Sequence, residues 1–183
     1  MTNLDFLKSK KINLTEDDIL DRILDRHRWP KIYPMYNQPS IEAINENGEK
    51  DQDFFWKDEY VDSEKCIKRY EDGYTLIFSR VSEFCRDTWI FYQLLMKTFN
   101  TVCTSNFYFG NGKKSISFNK HNHPYPVVVK NIFGESKWVI DEKEIILKDQ
   151  DCISFDKFID HQVIQINKPK LSMTWQFETN GNN

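Results

Sequence analysis

Three of the four histidines in this 183-residue chain stand where side-chain chemistry is feasible. His121 and His123 are separated by one residue in the stretch FNKHNHPYPVVVKNIFGESKW, and His161 follows the run CISF and the polar turn DKFID. In an extended segment, side chains at i and i+2 share a face, so His121 and His123 project side by side if SFNKHNH is a strand. Imidazole nitrogens suit Fe(II), Zn(II), Ni(II) or Cu(II), and three on one side leave coordination positions open for substrate or dioxygen. That is the donor set of a working metal site rather than of a closed structural one. An H-x-H in a polar loop is a weak motif by itself, and polar residues at the rim of a fold with no metal account for the same spacing. His27, between Arg26 and Arg28 in a helical stretch, reads as a surface or packing residue.

Strands must position these side chains. After residue 100 come the runs VCTSNFYF, SISFNKH, YPVVVKNIF, KWVI, KEIILK, CISF, HQVIQI and LSMTWQF, separated by G-N-G, G-E-S, D-E-K and K-P turns. Roughly eight short strands at close spacing point to a sandwich or barrel. Period two along YPVVVKN places Val127, Val129 and Asn131 on one face. Ahead of them, DGYTLIFSRV reads as a turn and a strand with Tyr74, Leu76 and Phe78 on one face. SEFCRDTWIFYQLLMKTF reads as a helix with an apolar stripe of Phe84, Trp89, Phe91, Leu94, Leu95 and Phe99. A first helix is predicted from Leu14 to Trp29, with Thr15 as N-cap, Ile19, Leu20, Ile23 and Leu24 at helical spacing, and Pro30 as its stop. Residues 31–52 are polar, hold prolines and an N-G pair, and read as loop wrapped over a core. The expected organisation is a helical and loop-rich segment, 1–70, packed on a barrel, 71–178, with a tail at 179–183.

Composition removes several function classes. Asp and Glu outnumber Lys and Arg by 28 to 25, a net charge of -3, which gives no electrostatic case for binding nucleic acid. No apolar stretch has the form of a secretory signal or the length of a membrane span. Cys66, Cys85, Cys103 and Cys152 are scattered without a C-x-x-C pair and read as free thiols, which predicts a cytoplasmic setting. None is tied by sequence to a histidine or carboxylate, so a cysteine nucleophile has no case. Aromatics at 15% suit a β-rich core or an aromatic-lined pocket.

The histidine spacing resembles the two cupin motifs. His121 and His123 stand as the H-x-H of the first, with Val127 at its glutamate position and Gly134 as its closing glycine. Gln150, Asp156, Phe158, His161 and Gln165 follow the spacing of the second. A longer resemblance is to the cupin-like subgroup of JmjC-type 2-oxoglutarate oxygenases, the ribosomal-protein hydroxylases. It rests on DGYTLIFSRVSEF, on Asn106-Phe107-Tyr108, on H-N-H in place of H-x-D, on Gly134-Glu135-Ser136-Lys137-Trp138, on His161-Gln162-Val163 and on the closing LSMTWQF, roughly residues 70 to 178.

That resemblance implies a mainly β fold, a double-stranded β-helix or jelly-roll barrel, with metal at its open end. His121 and His161 would be Fe(II) ligands, and Tyr108, Val127, Val129, Asn131 and Ser136 would line the interior. His123 takes the place of the family's acidic ligand, so three neutral ligands would leave the ion's charge uncompensated. Ser136 stands where the family carries the Lys or Arg that pairs with the far carboxylate of 2-oxoglutarate. Lys137, one position out of phase, and Lys170 are substitutes for it. Trp175 completes the candidate pocket, although Trp175 and Trp138 read by default as core. The expected function is a metal-dependent oxygenase, an Fe(II)/2-oxoglutarate hydroxylase acting on a small molecule or polypeptide. The alternatives are a three-histidine cupin dioxygenase that does not use 2-oxoglutarate and a non-catalytic ligand-binding cupin. Neither nucleic acid nor membrane is expected as a partner. A homodimer would use the amino-terminal segment or a sheet edge.

Overall fold

The structure, a computed structural model, describes residues 3–51, 56–114 and 118–177. Helices α1 (Asn3–Ser9) and α2 (Glu16–Leu24) come first. α2 starts at a capping box: the Thr15 hydroxyl accepts from the Asp18 N–H at 3.2 Å, and the Asp18 carboxylate accepts from the Thr15 N–H at 2.8 Å. Ile19 and Ile23 are buried, but Leu24 is 59% exposed. The helix therefore ends at Leu24 instead of running to Trp29. A 3-10 turn at Arg26–Arg28 swings Trp29 back into the core, where its indole donates to the Arg22 carbonyl at 2.7 Å.

The polar segment expected to be loop contains β1 (Ile41–Ile44) and β2 (Lys50–Asp51). All of β1 is buried, because it pairs antiparallel with β5, and its I-E-A-I is too short an alternation to stand out from polar surroundings. Next come β3 (Trp56–Lys57), β4 (Tyr60–Val61) and α3 (Ser63–Glu71), which buries Cys66 and Tyr70. Asp62 caps this unanticipated helix by accepting from the Lys65 N–H. β5 (Thr75–Ser79) leads to α4 (Arg86–Phe99), whose buried residues are Thr88, Phe91 and Leu95; Trp89 and Phe99 lie at the exposed margin of the predicted stripe.

The remaining strands are β6 (Cys103–Gly110), β7 (Val127–Phe133), β8 (Ser136–Ile140), β9 (Lys143–Leu147), β10 (Cys152–Phe155), β11 (His161–Ile166) and β12 (Lys170–Phe177). They form a large sheet of order β10-β7-β12-β6-β5-β1-β2 and a small sheet of order β11-β8-β9. From β7 onward the chain crosses between the two sheets at β7–β8, β9–β10, β10–β11 and β11–β12, as in a jelly roll. In the run SISFNKH, residues 115–117 lie outside the described residues. Its end reaches the small sheet through an isolated bridge between His121 and His161 rather than as a strand. The tail expected at 179–183 also lies outside them. The four cysteines are free, and among the described residues no helix is long and apolar enough to cross a membrane.

The large sheet is buried on both faces. One face packs on the helices through Phe78, Phe107, Phe109, Met173 and Trp175, with Leu7, Ile19, Phe91 and Leu95 opposite. The other meets the small sheet through Val127 and Val129 against Trp138, Ile140 and Val163. Trp175, offered above as a pocket residue, belongs to the helix side, stacked on Phe91 at 4.7 Å, because residues of one strand alternate faces.

The β7–β8 turn is locked onto the start of β12. Gly134 has φ +78°, and a Cβ there would lie 2.2 Å from the Pro169 carbonyl oxygen and 2.8 Å from the Lys170 Cα. Gly134→Ala should therefore lower stability by about 1–3 kcal/mol, from left-handed strain and a backbone clash together. Thermal denaturation measures it; an unchanged midpoint would show that the turn yields freely.

Candidate metal centre at the barrel mouth

His161 is the first residue of β11 and is buried. His121 lies opposite it, and the two exchange backbone hydrogen bonds: His121 N–H to His161 O at 3.1 Å, and His161 N–H to His121 O at 2.9 Å. His123 follows on the same side, held where its carbonyl accepts from the Phe158 N–H at 2.7 Å. Asn122 between them donates outward to Asp160 at 2.7 Å. The three rings converge, with centroids 4.4 Å (121–161), 4.9 Å (121–123) and 5.1 Å (123–161) apart. One ligand atom from each ring lies within 4.8 Å of the others.

The donors are oriented as well as gathered. Nδ1 of His121 lies 2.7 Å from the Asn119 carbonyl, and Nδ1 of His161 lies 2.9 Å from the Ile159 carbonyl. A carbonyl can only accept, so each Nδ1 carries the proton and each Nε2 keeps a free lone pair. His123 stacks on Tyr125, centroids 5.0 Å apart. Burial, reinforced by His121 and His161, pushes the His123 imidazole down to about 4, and burial also lowers His161. Both are neutral at neutral pH, the state in which imidazole binds a metal.

The histidines open into a narrow cavity of about 30 Å³, lined also by Tyr108, Val127, Val129, Trp138, Phe155, Val163, Lys170, Ser172, Thr174 and Gln176. Burial raises the Tyr108 hydroxyl to about 12, so it stays protonated. Lys170 is 2% exposed, and burial pushes its ammonium down to about 7. Among the described residues no carboxylate pairs with it; its Nζ lies over the Trp138 ring, 5.5 Å from the centroid.

Of the residues expected in the pocket, Tyr108, Val127 and Val129 line it. Asn131 shares their face but sits beyond the cavity, donating to the carbonyls of Gly134 at 2.6 Å and Lys148 at 3.1 Å. Ser136 is buried and accepts from the Trp138 indole at 2.9 Å. Lys137 points to the outer side, 2.8 Å from Glu144. Ser172, Thr174 and Gln176 went unread, although the period-two argument used for YPVVVKN would have found them in LSMTWQF. The sequence points to Lys170 only as a substitute for the absent Lys or Arg at Ser136.

The sequence matches no protein-family profile and no curated protein. The fold is similar to that of YcfD, a ribosomal oxygenase from Escherichia coli, at TM-score 0.58 and 10% identity, over 95% of this chain and 46% of that one. A second structure of the same oxygenase agrees in every one of these figures. The chain thus spans about half the length of YcfD. A cupin protein from Bacteroides fragilis aligns over 43% of this chain and 70% of its own, at 13% identity and TM-score 0.37. At these identities the likeness to YcfD establishes the fold, a jelly-roll barrel, and nothing finer.

Lys170 gives stability a pH dependence. An unfolded lysine titrates near 10.4, so from roughly pH 7 to 10 the unfolded chain holds a proton that the folded chain has lost. Stability should be greatest above that window and fall as pH drops toward 7, by at most about 1.4 kcal/mol per unit. Burial also lowers Lys130, so the measurement is the difference between parent and Lys170→Met. The variant should show a shallower slope and a higher melting point at pH 7; parallel curves would mean that Lys170 is solvated.

Proposed function

We propose that this chain is a metal-dependent oxygenase in which His121, His123 and His161 hold Fe(II) and Lys170 receives a carboxylate of 2-oxoglutarate. One observation carries this reading: three imidazoles converge in a cavity that also contains a buried lysine with which, among the described residues, no carboxylate pairs. The donors fit the ion. Two Nδ1 atoms are tied to carbonyls, and that leaves Nε2 lone pairs for coordination. Three neutral ligands leave a divalent charge uncompensated, which favours an anionic partner inside a low-dielectric site. Lys170 supplies a second positive charge for such an anion, and the Tyr108 hydroxyl is a neutral donor on the same wall. With iron bound, the chemistry supplied is dioxygen-dependent oxidation of a substrate C–H bond. The chain's own part is to hold the donors, orient the carboxylate and exclude water with Val127, Trp138, Phe155 and Val163. Beside the cavity lies a cleft lined by Phe99, Pro126 and Phe177 that shares Val127 and Phe155 with it, an apolar approach for the substrate.

Two features favour a second reading, a three-histidine dioxygenase that binds its substrate directly at the metal without 2-oxoglutarate. His123 replaces a carboxylate, and a cavity of about 30 Å³ is far below the volume of ordinary small-molecule sites. A dicarboxylate therefore has to displace side chains at the mouth as it enters.

Metal analysis and a 2-oxoglutarate decarboxylation assay separate these readings. The purified chain should bind one Fe(II), and His161→Ala should lose it. Lys170→Met should keep the metal but weaken 2-oxoglutarate binding about tenfold to a hundredfold, the effect of removing a charge-assisted partner. Metal binding with no 2-oxoglutarate turnover would select the second reading. Absence of metal in the parent would leave a non-catalytic cupin.

A further inference from the structure

A second cleft shares no lining residue with the histidine cavity. It lies between α4, the start of β6 and segment 28–36, encloses about 580 Å³, and is walled by Tyr33, Tyr36, Trp89 and Tyr92 together with Arg28 and Arg80. That volume is in the range of small-molecule sites.

Arg80 stands out for its backbone. Its φ of 58° and ψ of 49° are left-handed, a region that glycine enters freely and arginine seldom. The guanidinium stacks on the Tyr36 ring, and its Nε is buried without a hydrogen-bond partner. Arg28 runs between Trp29 and Phe84, 5.6 Å and 5.4 Å from their centroids, and donates to a backbone carbonyl, that of Glu83, at 3.1 Å. Burial raises the Tyr33 hydroxyl, and the charges of Arg28 and Arg80 oppose that rise. Among the described residues no carboxylate lies within ion-pair distance of either arginine, although the Asp25 and Glu83 charges are near enough to act on Arg28. The Glu83 side chain, which also borders the cleft, is exposed to solvent.

The walls specify the ligand from two directions. Guanidinium forks match phosphate oxygens, and flat rings stack on aromatic faces. Trp89 and Tyr36 present 41% and 50% of their surface to solvent. A bare inorganic anion would leave those rings unused, and an uncharged ring would leave both arginines unpaired. We propose that this cleft binds a nucleoside monophosphate, with its phosphate on Arg28 and Arg80 and its base against Tyr36 and Trp89. A single phosphate needs two local guanidinium groups; a nucleic-acid strand needs a basic surface, which a net charge of -3 opposes. The inference does not depend on the oxygenase reading.

Calorimetric titration of the full chain with adenosine 5′-monophosphate, adenosine and inorganic phosphate tests it. The nucleotide should bind saturably at one site, roughly tenfold or more tighter than either fragment. Arg80→Gly relieves the backbone, so it should melt no lower than the parent, yet bind the nucleotide at least roughly tenfold more weakly. Trp89→Ala, at an exposed position, should weaken the nucleotide more than it weakens phosphate. Binding no tighter than inorganic phosphate, no saturation at millimolar nucleotide, or unchanged affinity in Arg80→Gly would each overturn the proposal.

Discussion

Everything at the barrel mouth depends on a strand that is buried on both faces. β12 lies between β7 and β6, so neither its edges nor its faces reach bulk water over most of its length. The pleat then divides its residues: Leu171, Met173 and Trp175 complete the helix-side core, while Lys170, Ser172, Thr174 and Gln176 face the small sheet. Fully burying an aliphatic or aromatic side chain contributes about 1.5–3 kcal/mol, so the helix side anchors the strand. The polar face opposite is held in place by that packing rather than by its own contacts.

The histidines reach the same place by a different device. His121 belongs to no regular strand, but two backbone hydrogen bonds to His161 set it beside the end of β11. His123 follows with Asn122 turned outward, so the alternation expected of a strand survives in a segment that is not one. This explains why the cluster could be read from H-x-H and a distant histidine even though the strand carrying it was overstated.

Legibility elsewhere followed the length of the pattern. β7 and β12 have six or more residues of apolar or alternating character and were found; β1 and α3 lie in polar text and were not. Their burial comes from long-range pairing with β5 and from packing under α2, which no local window records. Within the site, face assignments were legible and depth was not. Period two put Asn131 on the inner face, but only the fold shows its amide bound to the carbonyls of Gly134 and Lys148. Trp175 shares the parity of Leu171 and Met173, and that parity puts it in the helix-side core, its default reading, rather than in the pocket that the resemblance implied.

The two glycine turns that press on residues 167–170 have a bearing on chain length. Gly134 abuts Pro169 and Lys170, and a Cβ on Gly112 would lie 2.4 Å from the Lys168 nitrogen. The β11–β12 connection is thus gripped from two sides and works as a ruler. One residue inserted there, with the gripped connection kept at its present length, would slip β12 by one position, rotate Lys170 to the helix face and bring its apolar neighbour Leu171 to the histidine side. Change at the mouth is therefore open by substitution but closed by insertion: this barrel can alter which groups face its centre, but not where the last strand begins to count.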